Sequence, residues 1–176
     1  MDFVIQASHP RAIAERSADD ASLSDALQTV FPLYNEAAIL VWNGVYVPLD
    51  YKYDLSVMIQ DLLDLLSSIL ESPSGAKVVD WPSNTFAARW RVEWSGSMVS
   101  VRADWRTVVG GTEALLQARP EVSLSTSEFT SEWKMVLENA ERALVGAGYQ
   151  AEDLPELLRL RAVLAMIPEY GRCYRA

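Results

Sequence analysis

Thr85–Trp105, TFAARWRVEWSGSMVSVRADW, is the stretch whose reading decides the fold. Phe86, Ala88, Trp90, Val92 and Trp94 alternate with Thr85, Arg89, Arg91 and Glu93, the period-2 pattern of a strand buried on one face. After Ser95-Gly96-Ser97-Met98 the alternation resumes with Val99, Val101, Ala103 and Trp105 apolar. A two-residue Gly96-Ser97 turn, glycine first as type II′ requires, pairs Trp94 with Val99, Val92 with Val101, Trp90 with Ala103 and Ala88 with Trp105. Every apolar side chain then lands on one face, so turn chemistry and alternation specify the same register. Arg89, Arg91, Glu93, Ser100, Arg102 and Asp104 form the opposite, polar face. This hairpin is a fold signal and carries no chemistry.

Outward from it, Phe3, Ile5 and Ala7 alternate as an N-terminal strand ending at His9-Pro10. Residues 11–30 read as a loop or short helix starts. Ala37–Trp42, Asn43-Gly44 and Val45–Leu49 form a second hairpin signal, with Pro48 placing the return strand at a sheet edge or ending it early. Asp54 opens an amphipathic helix whose Leu55, Met58, Ile59, Leu62, Leu63, Leu66, Ile69 and Leu70 keep the 3.6 period, stopping at Ser72-Pro73-Ser74-Gly75. Ala76–Trp81 is a short strand, and Gly110-Gly111 closes the central hairpin before a helical turn or two at Thr112–Arg119. Ser125-x-x-Glu128 is a capping box leading a helix with Phe129, Trp133, Val136, Leu137, Ala140 and Leu144 on one face. Gly146 and Gly148 stop it, and Asp153-x-x-Glu156 repeats the cap shape before a last helix to about Pro168. The predicted architecture is α+β: an antiparallel sheet of hairpins packed by amphipathic helices in a single layer sandwich, one domain over residues 1–176.

Half the residues are hydrophobic and 22% are charged, a globular profile. The net charge is −9. Residues 1–80 hold 12 acids against 4 bases, residues 81–120 hold 5 arginines against 3 acids, and the remainder holds 9 acids against 6 bases. Nucleic acids and anionic membranes both require cationic neutralisation, so neither is an expected partner; a basic protein is. The acidic Asp2 and short apolar run at the start do not make a signal peptide, and no stretch approaches the ~18–20 apolar residues of a spanning helix. With a single cysteine, a cytoplasmic protein is expected.

Catalytic material is sparse. His9 is the sole histidine and Cys173 the sole cysteine; a His9–Cys173 pair has no activating context, and a Cys/His metal centre is excluded by counting, so no metal or cofactor is expected. Asp61 and Asp64 share a helix face, as a shared cation or an ordinary solvated face would both require. The six tryptophans either line a cleft or fill the core, and their common phase favours the core. Arg89, Arg91, Arg102 and Arg106 form a stripe that pairs with Glu93 and Asp104 across strands, with Arg91 and Arg102 a candidate anion contact.

In profile, with the hairpin RWRVEWSGSMVSVRADW, the helix SEFTSEWKMVLENAERAL and no catalytic set, the chain resembles the small acidic immunity proteins of bacterial toxin–immunity systems, including those of contact-dependent growth inhibition. The resemblance implies a non-enzymatic cytoplasmic protein that binds a cognate toxin, often a nuclease, and blocks it. Asp50, Asp54, Asp61 and Asp64 would supply the acidic surface and an exposed Trp42 or Tyr46 the anchor. The alternative is a small-molecule binding protein or cofactor-free enzyme with a tryptophan-lined pocket; an adaptor pairing with its own copy is a third.

Overall fold

A computed structural model describes residues 2–33 and 35–168. Strands β1 (Phe3–Gln6), β2 (Ala38–Trp42) and β3 (Val45–Leu49) form one antiparallel sheet in the order β1-β2-β3. Strands β4 (Ser74–Pro82), β5 (Phe86–Ser95), β6 (Met98–Val108) and β7 (Glu121–Ser125) form a second in the order β4-β5-β6-β7. The helices are α1 (Leu23–Val30), α2 (Ser56–Glu71), α3 (Glu113–Gln117), α4 (Thr126–Gly146) and α5 (Glu156–Met166). The class is α+β with antiparallel sheets, as the pattern predicts, but the strands divide into two sheets where a single one is expected.

The central hairpin has the predicted register: Trp94 faces Val99, Val92 faces Val101, Trp90 faces Ala103 and Ala88 faces Trp105. Gly96 takes φ +58°, the left-handed conformation the first position of a type II′ turn needs. A bulge beyond Ala88 admits Arg106 as an extra residue of β6, so that Phe86 meets Val108 and both stay buried. In the β2–β3 hairpin Asn43 (φ +48°) and Gly44 (φ +82°) are both left-handed, as a type I′ turn demands. The Ser125/Glu128 capping box is complete: Ser125 Oγ accepts from the Glu128 N–H at 3.2 Å and the Glu128 carboxylate from the Ser125 N–H at 3.0 Å.

One contiguous core joins both sheets to the helices. Phe3 and Trp42 of the three-stranded sheet meet Trp90 of the four-stranded sheet, while Trp133 of α4 stacks on Trp81 at 5.8 Å. The outer edge of β1 is closed by α4: the Ile5 N–H donates to the Glu132 carboxylate at 2.6 Å, satisfying an amide that would otherwise template strand addition. A buried polar knot fixes the chain after β1. Tyr51 donates its hydroxyl to the Ala7 carbonyl at 2.7 Å, and Asn139 Nδ2 donates to Tyr51 at 3.0 Å and to the Ser8 carbonyl at 3.2 Å. Burial pushes the Tyr51 hydroxyl up to about 12.

Several local expectations are corrected. Asp54 does not open the long helix at the surface: Tyr51–Leu55 forms a wide π-helical turn capped by Asp50, whose carboxylate accepts from the Tyr53 N–H at 2.8 Å. Residues 23–30 form a full helix, capped by Ser22. Glu121–Ser125 is a strand that the capping-box reading passed over, although Val122 and Leu124 alternate with polar neighbours. Asp153 does not cap α5; Pro155 occupies the cap position and Asp153 is drawn instead to Arg16. Cys173, and with it the His9–Cys173 pairing, lies outside the described residues.

Gly75 on β4 lies directly beneath the Trp94 ring, where an added Cβ would overlap the indole. Gly75→Ala is expected to cost about 1–3 kcal/mol by displacing a ring whose indole N–H is held by the Ser72 carbonyl at 3.0 Å. Urea unfolding together with near-UV circular dichroism would register both effects.

Candidate functional site

The three-stranded sheet buries one face and turns the other to solvent. Phe3, Ile5, Leu40, Trp42 and Val47 point inward. Cross-strand pairing aligns Val4 with Val41 and Tyr46, and Gln6 with Ile39 and Pro48, in two rows on the opposite face. Apart from Gln6 this face is apolar, and it carries no charge. Tyr46, at the β3 end of the first row, is 65% exposed, and Val4, Ile39, Val41 and Pro48 are half-buried beside it. Uncharged apolar surface with an aromatic protrusion and a polar rim is the anatomy of a protein contact. Glu36 and Asp50 flank the sheet at the end where β2 starts and β3 finishes, and Asp2 flanks it at the turn end.

The structure separates the residues that sequence reasoning grouped. Tyr46 and Asp50 lie at opposite ends of one strand, ~13 Å apart at the rise of an extended chain, and Asp61 is exposed on α2. Asp64 is committed to an ion pair with Arg159 of α5, with Lys77 of β4 at 3.9 Å. Asp54 is 1% exposed and its carboxylate is turned into the protein, accepting from the Asp50 N–H at 2.7 Å and from the hydroxyls of Thr85 (2.6 Å) and Ser83. Trp42 is fully buried, because it shares its phase with Ala38 and Leu40; its indole N–H donates to the Arg119 carbonyl at 2.9 Å. Neither Asp54 nor Trp42 can touch a partner. The members that sequence reasoning missed are Val4, Ile39, Val41 and Pro48. Their signal was the apolar residue at every position of Ala37–Trp42, which leaves one apolar set over once the core set is buried.

The outward face of the four-stranded sheet is charged. Arg89 makes a paired contact with Asp80 of β4 at 2.7 and 3.1 Å, and the guanidinium holds the Asp80 carboxyl below the usual carboxylate range. Arg102 reaches Glu121 of β7 at 2.8 Å, and Arg106 lies 3.8 Å from Asp104 and 3.9 Å from Asp80. Three of the four arginines are therefore ion-paired, by acids of the flanking strands and, within β6, by Asp104; the expected cross-strand pairing with Glu93 is not made, and Arg91 has no ion pair among the described residues. A shallow concavity of about 320 Å³ lies over this face, bordered by Arg89, Arg91, Arg102, Asp104, Gln117 and Pro120.

Five tryptophans pack against other aromatic rings within the core, such as Trp42 on Trp105 at 5.2 Å and Trp81 on Trp90 at 5.2 Å; the sixth, Trp94, edges a shallow surface hollow beside Gly75 and Met98. A tryptophan-lined pocket is not what these rings build. Among the described residues there is no cluster of three His, Cys, Asp or Glu side chains placed to hold a metal ion, and no helix is long and apolar enough to cross a membrane. Comparison of the chain with protein-family models, with curated proteins and with solved structures finds no match.

Proposed function

We propose that the chain is a non-catalytic protein-binding module of the cytoplasm, and specifically an immunity protein that neutralises a cognate bacterial toxin with a basic surface by binding it. The observation that supports this most is the uncharged apolar face of the three-stranded sheet with Tyr46 standing out of it. Tyr46 is the anchor, Val41 and Ile39 the apolar floor, and Asp50 and Asp61 carry the negative field that speeds encounter with a basic partner. The test is co-expression with the product of an adjacent toxin-like open reading frame, followed by pull-down and a growth assay. A stable complex and protection from toxicity are expected; no complex and no protection would sink the proposal. Within such a complex, Tyr46→Ala is expected to weaken binding about 30-fold by calorimetry, while the exposed position leaves the melting temperature unchanged. Asp61→Asn is expected to slow association with little effect on dissociation.

A further inference from the structure

On the outward face of the four-stranded sheet, Arg91 of β5 stands directly opposite Arg102 of β6. Like charges in that position repel across ~5 Å between Cα atoms. Arg102 is relieved on one side, its Nη1 reaching Glu121 at 2.8 Å. Arg91 has no ion-pair partner among the described residues, and neither does Glu93, two residues along the same strand and on the same face. An unpaired cation and an unpaired anion thus stand ~7 Å apart on a central strand, with the exposed Val78 beside Arg91 in the next strand. Arg91 and Arg102 both border the concavity over this face.

We infer that this face is a second protein-docking surface, in which a partner carboxylate bridges the guanidiniums of Arg91 and Arg102 while a partner cation meets Glu93. A carboxylate fits because Arg91 offers all five N–H donors and Arg102 keeps those that Glu121 does not use, in the planar fork that carboxylates match. A polyanion such as nucleic acid does not fit, because Asp80, Glu93, Asp104 and Glu121 lie on or border the same face and would repel a continuous row of phosphates. The required spacing is that of Glu and Lys at i and i+4 on a helix, whose side chains emerge ~6 Å apart. The occupant is therefore a mixed-charge helix of a partner protein. This surface is distinct from the apolar face around Tyr46, so it stands or falls independently of the toxin reading.

The test uses the full 15N-labelled chain and an alanine-based helical peptide of about 15 residues with Glu–Lys pairs at i, i+4; sodium acetate at matched carboxylate concentration and ionic strength is the comparator. The peptide is expected to shift the Arg91, Glu93 and Arg102 signals saturably, and acetate to give no saturation over the same range. Arg91→Glu combined with Glu93→Arg keeps the net charge and is expected to weaken the peptide about tenfold at an unchanged melting temperature. Arg91→Ala, which removes one exposed side chain, gives a second reading should the double variant unfold. An absence of saturable shifts at these residues would overturn the proposal, as would an affinity that neither variant changes. An equal response to acetate would reduce the face to an adventitious ion only and overturn it too.

Discussion

Trp90→Ala is expected to remove about 4 kcal/mol of stability, which is a large share of the roughly 5–15 kcal/mol that holds a domain of this kind folded. Trp90 lies fully buried on the inner face of β5, and six aromatic rings surround it: Phe3, Trp42, Trp81, Phe86, Trp105 and Trp133. These come from both sheets and from α4, so the indole is the joint where the three-stranded sheet, the four-stranded sheet and the helical layer meet. Truncation to a methyl group leaves a void that rigid strands on either side cannot close. The indole N–H has no hydrogen-bond acceptor among the described residues, so the loss is one of packing. Trp90→Phe, which keeps most of the ring area, is accordingly expected to cost less than half as much. Urea unfolding followed by far-UV circular dichroism measures both. A Trp90→Ala cost below about 1 kcal/mol would mean that the rings around it can collapse inward, against the close packing of protein cores.

The same rings show where sequence reasoning succeeds and where it stops. The register of the central hairpin was legible because three independent local signals agree: alternation, the Gly96-Ser97 turn and the inward phase of the tryptophans. The β2–β3 hairpin was legible from Asn43-Gly44 for the same reason. The division into two sheets was not, since β1 pairs with β2 across an intervening helix and nothing local records which strands pair over that distance. The burial of Trp42 was implicit in its phase with Ala38 and Leu40, yet the burial of Asp54 was not. An aspartate before an amphipathic run reads as a helix cap; only the tertiary approach of Ser83 and Thr85 turns it inward. Asp64 likewise reads as solvated until α5 brings Arg159 against it. Local patterns therefore identify faces, while ion pairs and buried polar contacts depend on which elements meet.

Those contacts also divide the acidic residues into two kinds. Asp54, Asp64 and Asp80 spend their charge within the fold, on hydroxyls, on Arg159 and on Arg89 respectively. Asp61 faces outward without an ion-pair partner among the described residues, and so do Glu71 and Glu152. The net charge of −9 overstates how much acidic surface is free to steer a partner. This is why Tyr46 and its apolar neighbours, rather than the aspartates, carry the proposed contact.

Asp54 yields the second large effect. Its carboxylate joins the π-helical turn before α2 to the loop between β4 and β5, with one oxygen on the Asp50 N–H and the other on Thr85 and Ser83. Asp54→Ala is expected to cost about 3 kcal/mol, because it removes the three hydrogen bonds that the buried carboxylate accepts, at about 1 kcal/mol each. Burial raises the Asp54 carboxyl above its ordinary 3.8, the hydrogen bonds from Ser83, Thr85 and Asp50 opposing the shift without cancelling it. The folded chain then holds this proton more tightly than the unfolded chain does. The stability Asp54 contributes is full below the unfolded value and is lost as pH rises through the raised folded value. Asp54→Asn keeps the shape and removes the titration. The difference in unfolding free energy between wild type and Asp54→Asn is therefore expected to be largest near pH 3 and to shrink as pH rises. Asp80, whose shift has the opposite sign, is present in both proteins and drops out of that difference. A gap that widens with rising pH would show that the three hydrogen bonds outweigh burial and that Asp54 is held ionised.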